Sequence, residues 1–120
     1  NMSVGRITMI DFTSAEAMQA AAKLYLATHK ENFPNAKLIV NVKTGPRSVM
    51  TLAIYESYEE AQKNLIGRQK YQDAIAITVK DTFYYEGDLS YFYQDPKAEI
   101  VSEYAEKDRL FFEAERKAEK

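Results

Sequence analysis

The sequence predicts an α+β fold, a four-stranded antiparallel sheet in the ferredoxin-like βαββαβ order with an extra helix at its carboxyl end. Three observations carry that expectation. Two apolar, β-rich runs, Arg6 to Phe12 and Val49 to Tyr55, each lead at once into a helix-capping tetrad. The alternating run Ala36 to Lys43 is joined to Val49 by Thr44-Gly45-Pro46-Arg47, a link short enough for a hairpin. An aromatic run, Phe83 to Gln94, follows the second helical stretch and supplies the fourth strand.

Arg6 to Phe12 (RITMIDF) reads as the first strand. Thr13-Ser14-Ala15-Glu16 fits a capping box in which the Thr13 hydroxyl and the Glu16 carboxylate satisfy unpaired amides. A helix over roughly 14 to 32 follows, its apolar side centred on Met18, Ala21, Ala22 and Tyr25, and Pro34 forbids its continuation. In the next strand Leu38, Val40 and Val42 share one face while Ile39, Asn41 and Lys43 share the other. Ser57-Tyr58-Glu59-Glu60 repeats the capping pattern and starts a second helix near 58. Gly67 is expected to break that helix at about 66, with a second piece over 69 to 79. The last strand runs over 83 to 94, with Gly87 as the place for a bulge. The domain is thus placed at 1 to 95. Residues 96 to 120 form an amphipathic extension, helical from Lys97, with Ile100, Tyr104 and Phe111 turned to the partner subunit or the domain surface.

Both faces of the sheet matter. A strand with one wet face alternates apolar and polar residues, yet Val49 to Tyr55 is apolar almost throughout, and Ile7, Met9, Ile10 and Phe12 fall on both sides of the first strand. The chain is too short to supply a second covering layer. A second copy of the same sheet, packed across a two-fold axis, is the expected cover, which makes the chain a homodimer.

Composition narrows the chemistry. In 120 residues there are 16 Lys and Arg against 18 Asp and Glu, a net charge of −2, so no basic footprint points to nucleic acid or to an anionic membrane. The absence of cysteine excludes disulfides, thiolate metal sites and a cysteine nucleophile, and one histidine excludes a multi-histidine centre within a single chain. No cofactor, metal or haem is expected. With no long apolar run and no signal-peptide pattern at the amino end, the expected compartment is the cytoplasm.

Leu52-Ala53-Ile54-Tyr55-Glu56-Ser57-Tyr58-Glu59-Glu60-Ala61-Gln62, then Gln69-Lys70-Tyr71-Gln72-Asp73-Ala74, then Glu86-Gly87-Asp88-Leu89-Ser90-Tyr91-Phe92, resemble the dimeric α+β barrel superfamily, which includes the antibiotic biosynthesis monooxygenase-like proteins. The resemblance covers about residues 5 to 94. It implies a small-molecule-binding protein or a cofactor-independent enzyme, monooxygenase- or isomerase-like. The haem-degrading branch carries an Asn-Trp-His arrangement, and this chain has no tryptophan. The alternative is a non-catalytic homodimeric interaction module.

Candidate groups are few. His29 falls at the edge of the first helix's apolar face, where it serves either as a general base or as a partner of the helix dipole. Arg68 is placed to reach a carboxylate or oxyanion at the mouth of a helix–sheet cleft, or stands as an ordinary exposed arginine. Tyr71 is a packing residue or a ligand contact. Tyr91 belongs to a cluster of six aromatics between Phe83 and Tyr93 that suits either a dimer seam or a ligand wall. The alanine-rich stretch Ala15 to Ala27 either leaves room for a guest over the sheet or lets the helix settle closer and close the space.

Overall fold

A computed structural model describes residues 1–119. Its elements run β1 (Val4–Phe12), α1 (Ala15–Asn32), β2 (Leu38–Gly45), β3 (Ser48–Tyr55), α2 (Tyr58–Gln62), α3 (Leu65–Ile75), a 3₁₀ turn (Ala76–Thr78), β4 (Val79–Asp88) and α4 (Glu106–Ala118). The four strands form one sheet in the order β2-β3-β1-β4, antiparallel at every pairing. This is the ferredoxin-like arrangement with an added carboxyl-terminal helix.

Local chemistry explains the boundaries, with several corrections to the sequence reading. Ser14, not Thr13, caps α1: its hydroxyl accepts the Ala17 N–H at 3.0 Å. Ser57 does the same for α2 through the Glu60 N–H at 3.2 Å. The Glu60 carboxylate does not complete a box but turns to Lys63 and Asn35. The break between the two short helices falls at Lys63-Asn64, and Gly67 lies inside α3. No residue among those described has a left-handed backbone, so Gly67 is not a conformational hinge. A Cβ there would stand 1.8 Å from the Asn32 carbonyl oxygen, so the missing side chain is what lets the end of α1 touch α3.

The fourth strand begins at Val79, four residues before the predicted start, and ends at Asp88, short of Gln94. Propensity favours the aromatics, but pairing with β1 sets the limits, and β1 begins at Val4 opposite Asp88. Gly87 pairs regularly with Gly5; the register shift lies between Asp11 and Phe12 instead. Residues 97 to 105 are not helical, and α4 starts at Glu106, where the Asp108 carboxylate accepts the Ala105 N–H at 2.7 Å. That later start changes which side faces inward. Arg109 is buried against the domain and Lys23 sits over the Phe112 ring, whereas Ile100 and Phe111 are exposed. Of the predicted contact residues, Tyr104 alone is half-buried, edge-on to Phe112.

Helices occupy one face of the sheet. There the core forms two clusters, Ile10, Phe12, Met18, Ala21 and Ile75 at one end and Ala53, Tyr55 and Ala61 at the other. The register places Ile7 beside Leu52 and Tyr85, and Met9 beside Met50 and Phe83, on the opposite face, with Val40 and Val42 continuing the row on β2. No element among the described residues covers this face; Met9 is 40% and Phe83 53% exposed. No helix among the described residues is long and apolar enough to cross a membrane.

Candidate ligand cavity between sheet and helices

The backbone of helix α1 runs closer to α3 and α4 than to the sheet beneath it. Its sheet-facing residues between Met18 and Tyr25 are alanines: Ala21 is buried in the cluster with Ile10 and Phe12, and Ala22, with its single methyl group, lines the space beside it. The space left between α1 and the strands is a cavity of about 1010 Å³. That is at the upper end of the size usual for small-molecule sites. Arg6, Thr8, Thr51 and Ala53 line its floor, Tyr25 and His29 its roof, and residues 100 to 106 with Arg109 close one side.

His29, Arg68 and Tyr71 all line this cavity. Tyr91 does not: it is 81% exposed in the irregular stretch after β4. A strand running on to Gln94 would put Tyr91 on the sheet, but pairing ends at Asp88 and leaves it outside.

His29 is half-buried, stacked on Tyr25 with ring centroids 5.8 Å apart. Burial chiefly, and then the positive charges of Arg109 and Lys30, hold its pKa below 6.5 against the opposing pull of Glu106 and Glu113. The imidazole is therefore mostly neutral near pH 7, and its ring nitrogens make no hydrogen bond among the described residues. A neutral, uncommitted imidazole on a cavity wall can accept a proton. Arg109 itself is held by Glu106 at 2.7 Å and Glu113 at 2.9 Å, so the helix that closes the cavity brings charge to its wall already paired.

Tyr71 is differently employed. Its hydroxyl donates to the Ala21 carbonyl at 3.0 Å, and its ring meets Tyr25 edge-on at 5.2 Å. Burial raises the pKa of both phenols above the ordinary tyrosine value. The hydroxyl of Tyr71 ties α3 to α1 and is committed there, so its part in the cavity is the ring.

Two residues of the cavity escaped the sequence reading. Tyr25 looked like one apolar position on a helix face, yet its phenol makes no hydrogen bond among the described residues and belongs to a cavity wall. Arg6 looked like the flank of a strand. In the fold it lies on the helix face of β1, 4% exposed, with Nε on Glu86 at 2.7 Å, one terminal nitrogen on Gln62 at 3.3 Å and the guanidinium 5.3 Å from the Tyr55 ring centre. The alternation that puts Arg6 in phase with Ile10 and Phe12 was the available signal. The guanidinium carbon of Arg68 sits over Tyr84, 3.8 Å from the ring centre. Among the described residues, no three His, Asp or Glu side chains come together as a metal site would need.

The fold is similar to that of solved antibiotic biosynthesis monooxygenase-like and dimeric ferredoxin-like proteins. A Chloroflexus aurantiacus protein assigned to the antibiotic biosynthesis monooxygenases is 12% identical, with a TM-score of 0.64 over 77% of this chain and 97% of its own. A dimeric ferredoxin-like protein from an uncultured marine organism is 16% identical, with the same TM-score of 0.64 over 79% of this chain and 95% of its own. SnoaB, a cofactor-independent oxygenase from Streptomyces nogalater, is 8% identical at a TM-score of 0.64, over 79% of this chain and its whole length. No protein-family model matches the chain, and no curated protein matches it. At such identities the likeness is one of fold.

Proposed function

We propose that the chain is a homodimeric small-molecule-binding protein whose cavity takes a largely apolar, aromatic ligand, and that it acts on that ligand without a cofactor. The observation that carries this reading is the cavity of about 1010 Å³ with the uncommitted, neutral imidazole of His29 on its wall. Apolar side chains of α1 and the sheet give a planar guest its contact area, and the Tyr25 ring gives it a stacking surface. Within such a site His29 would take a proton from a weakly acidic O–H or C–H of the ligand, the opening step of isomerase-like chemistry and of oxygenation that needs no cofactor. The shared fold with a cofactor-independent oxygenase is consistent with this reading.

Dimerisation is supported by the uncovered apolar face around Met9 and Phe83. It is common to this reading and to the alternative of an interaction module. What favours a ligand is that α1's alanines leave the cavity unfilled.

A thermal-shift screen with planar aromatic compounds tests the proposal on three proteins. Wild type should be stabilised by several of them. Ala22→Phe, which fills the cavity from α1, should lose that stabilisation. His29→Ala should keep binding and lose any turnover. A wild type indifferent to every planar compound, or an Ala22→Phe variant that binds as well as wild type, would leave the interaction module as the reading.

A further inference from the structure

The chain carries a slight excess of acidic residues, 18 against 16, yet its cavity does not. Six of the lining side chains are Lys or Arg and two are Glu. Those two are already engaged: Glu103 with Lys43 at 3.5 Å, and Glu106 with Arg109 at 2.7 Å. Arg68 has no carboxylate within 4 Å among the described residues. It rests on the Tyr84 ring, an arrangement that leaves the N–H edges of its guanidinium free.

The register shows what lies next to it. Glu86 pairs with Arg6 and Tyr84 with Thr8 across β4 and β1, so all four share the helix face; Arg6 and Thr8 line the cavity, and Tyr84 and Glu86 stand beside them on β4. Arg6 is buried, and although Nε and one terminal nitrogen are satisfied, Nη1 is buried with no acceptor. A buried guanidinium N–H without a partner is costly, and a ligand oxygen is a natural one to supply it. Two guanidinium groups and one carboxylate leave this end with a single uncompensated positive charge. That balance suits a monoanion better than a phosphate dianion.

We propose that the cavity selects aromatic or apolar monocarboxylates, the carboxylate seated between Arg68 and Arg6 at the β1–β4 end, with the ring system lying under α1 toward Tyr25 and His29. The inference rests on the ligand-binding reading above and adds the charge of the ligand. A planar carboxylate matches the fork of a guanidinium, and the floor hydroxyl of Thr8 offers a further donor. Glu86 then serves as a placeholder that keeps Arg6 extended and competes with the ligand for it.

The test compares two probes of one shape, 2-naphthoate and 2-naphthamide, by calorimetric titration of the full chain. Wild type should prefer the carboxylate by about tenfold, and added salt should shrink that preference. Arg68→Gln should abolish most of the preference while leaving the amide's affinity unchanged. Glu86→Gln, which removes the competing carboxylate, should raise the preference above wild type. Equal binding of the two probes by wild type, or a preference that survives Arg68→Gln, would overturn the charge assignment while leaving the cavity as a binding site. Binding of neither probe would overturn the ligand-binding reading and this inference with it.

Discussion

Replacing Gly67 with alanine sets two physical effects against each other. Intrinsic helix propensity favours alanine over glycine by about 1 kcal/mol at an exposed interior position. The tertiary contact opposes it, since the new Cβ would lie 1.8 Å from the Asn32 oxygen, 2.6 Å from its carbonyl carbon and 2.8 Å from its Cα. Ordinary contact begins near 3.4 Å, so the backbones of α1 and α3 must part by about 1.6 Å. These are main-chain atoms at the end of an 18-residue helix and cannot turn aside as a side-chain tip could. Overpacking of this kind costs about 1–3 kcal/mol and occasionally more. Starting from the upper part of that range and subtracting the propensity gain leaves a net loss of about 1–2 kcal/mol, a fall in Tm of roughly 4–12 °C for a domain of this size. Separating α1 from α3 also strains the Tyr71–Ala21 hydrogen bond nearby. The assay is thermal and urea denaturation of Gly67→Ala beside Gly87→Ala, whose added methyl meets nothing within 4 Å. Gly87→Ala should match or slightly exceed wild type. A Gly67→Ala protein as stable as wild type or more so would refute the close-approach argument and restore Gly67 to the role of a helix weak point.

Further outcomes are expected elsewhere. Met9→Lys places a charge near the middle of the uncovered sheet face, and sedimentation should show a dimer for wild type but a monomer for the variant; a monomeric wild type at micromolar concentration defeats the proposal. Because the folded pKa of His29 is depressed, the unfolded chain binds the proton more readily, so stability should fall as pH drops below about 6.5 and level off once the folded value is passed. His29→Gln should flatten that slope between pH 7 and 5, and an unchanged slope in the urea midpoint would contradict it. Tyr71→Phe should cost about 0.5–1 kcal/mol, because the Ala21 carbonyl keeps its helical partner, and should leave ligand affinity untouched; weakened binding would mean that the hydroxyl faces the ligand after all. Truncation after Asp95 removes α4 from α1 and one wall of the cavity, and an unaltered Tm would show that α4 contributes no stability.

What the amino-acid order determined here is what local chemistry can write down. The capped starts near 15 and 58, the hairpin around Gly45-Pro46 and the two-sided apolar strands specify β-α-β-β-α-β before any long-range contact is known, because caps, turns and period-two alternation act over a few residues. His29 and Arg68 could be singled out as residue types with chemistry to offer. Their lining of one cavity was decided by tertiary structure: whether alanines under α1 let the helix settle or leave a gap depends on what α3 and α4 hold it against. The same holds for Gly67, whose sequence signal is identical for a broken helix and for a close backbone approach. It holds for the end of β4, where aromatic propensity runs on through Tyr93 but the pairing partner ends at Val4. Arg6 is the sharpest case, since a charged residue in an apolar strand gains a role only when Glu86, eighty residues later, and Tyr84 are brought beside it. Each of these is a non-local pairing, settled when the sheet closes and the helices find their height above it.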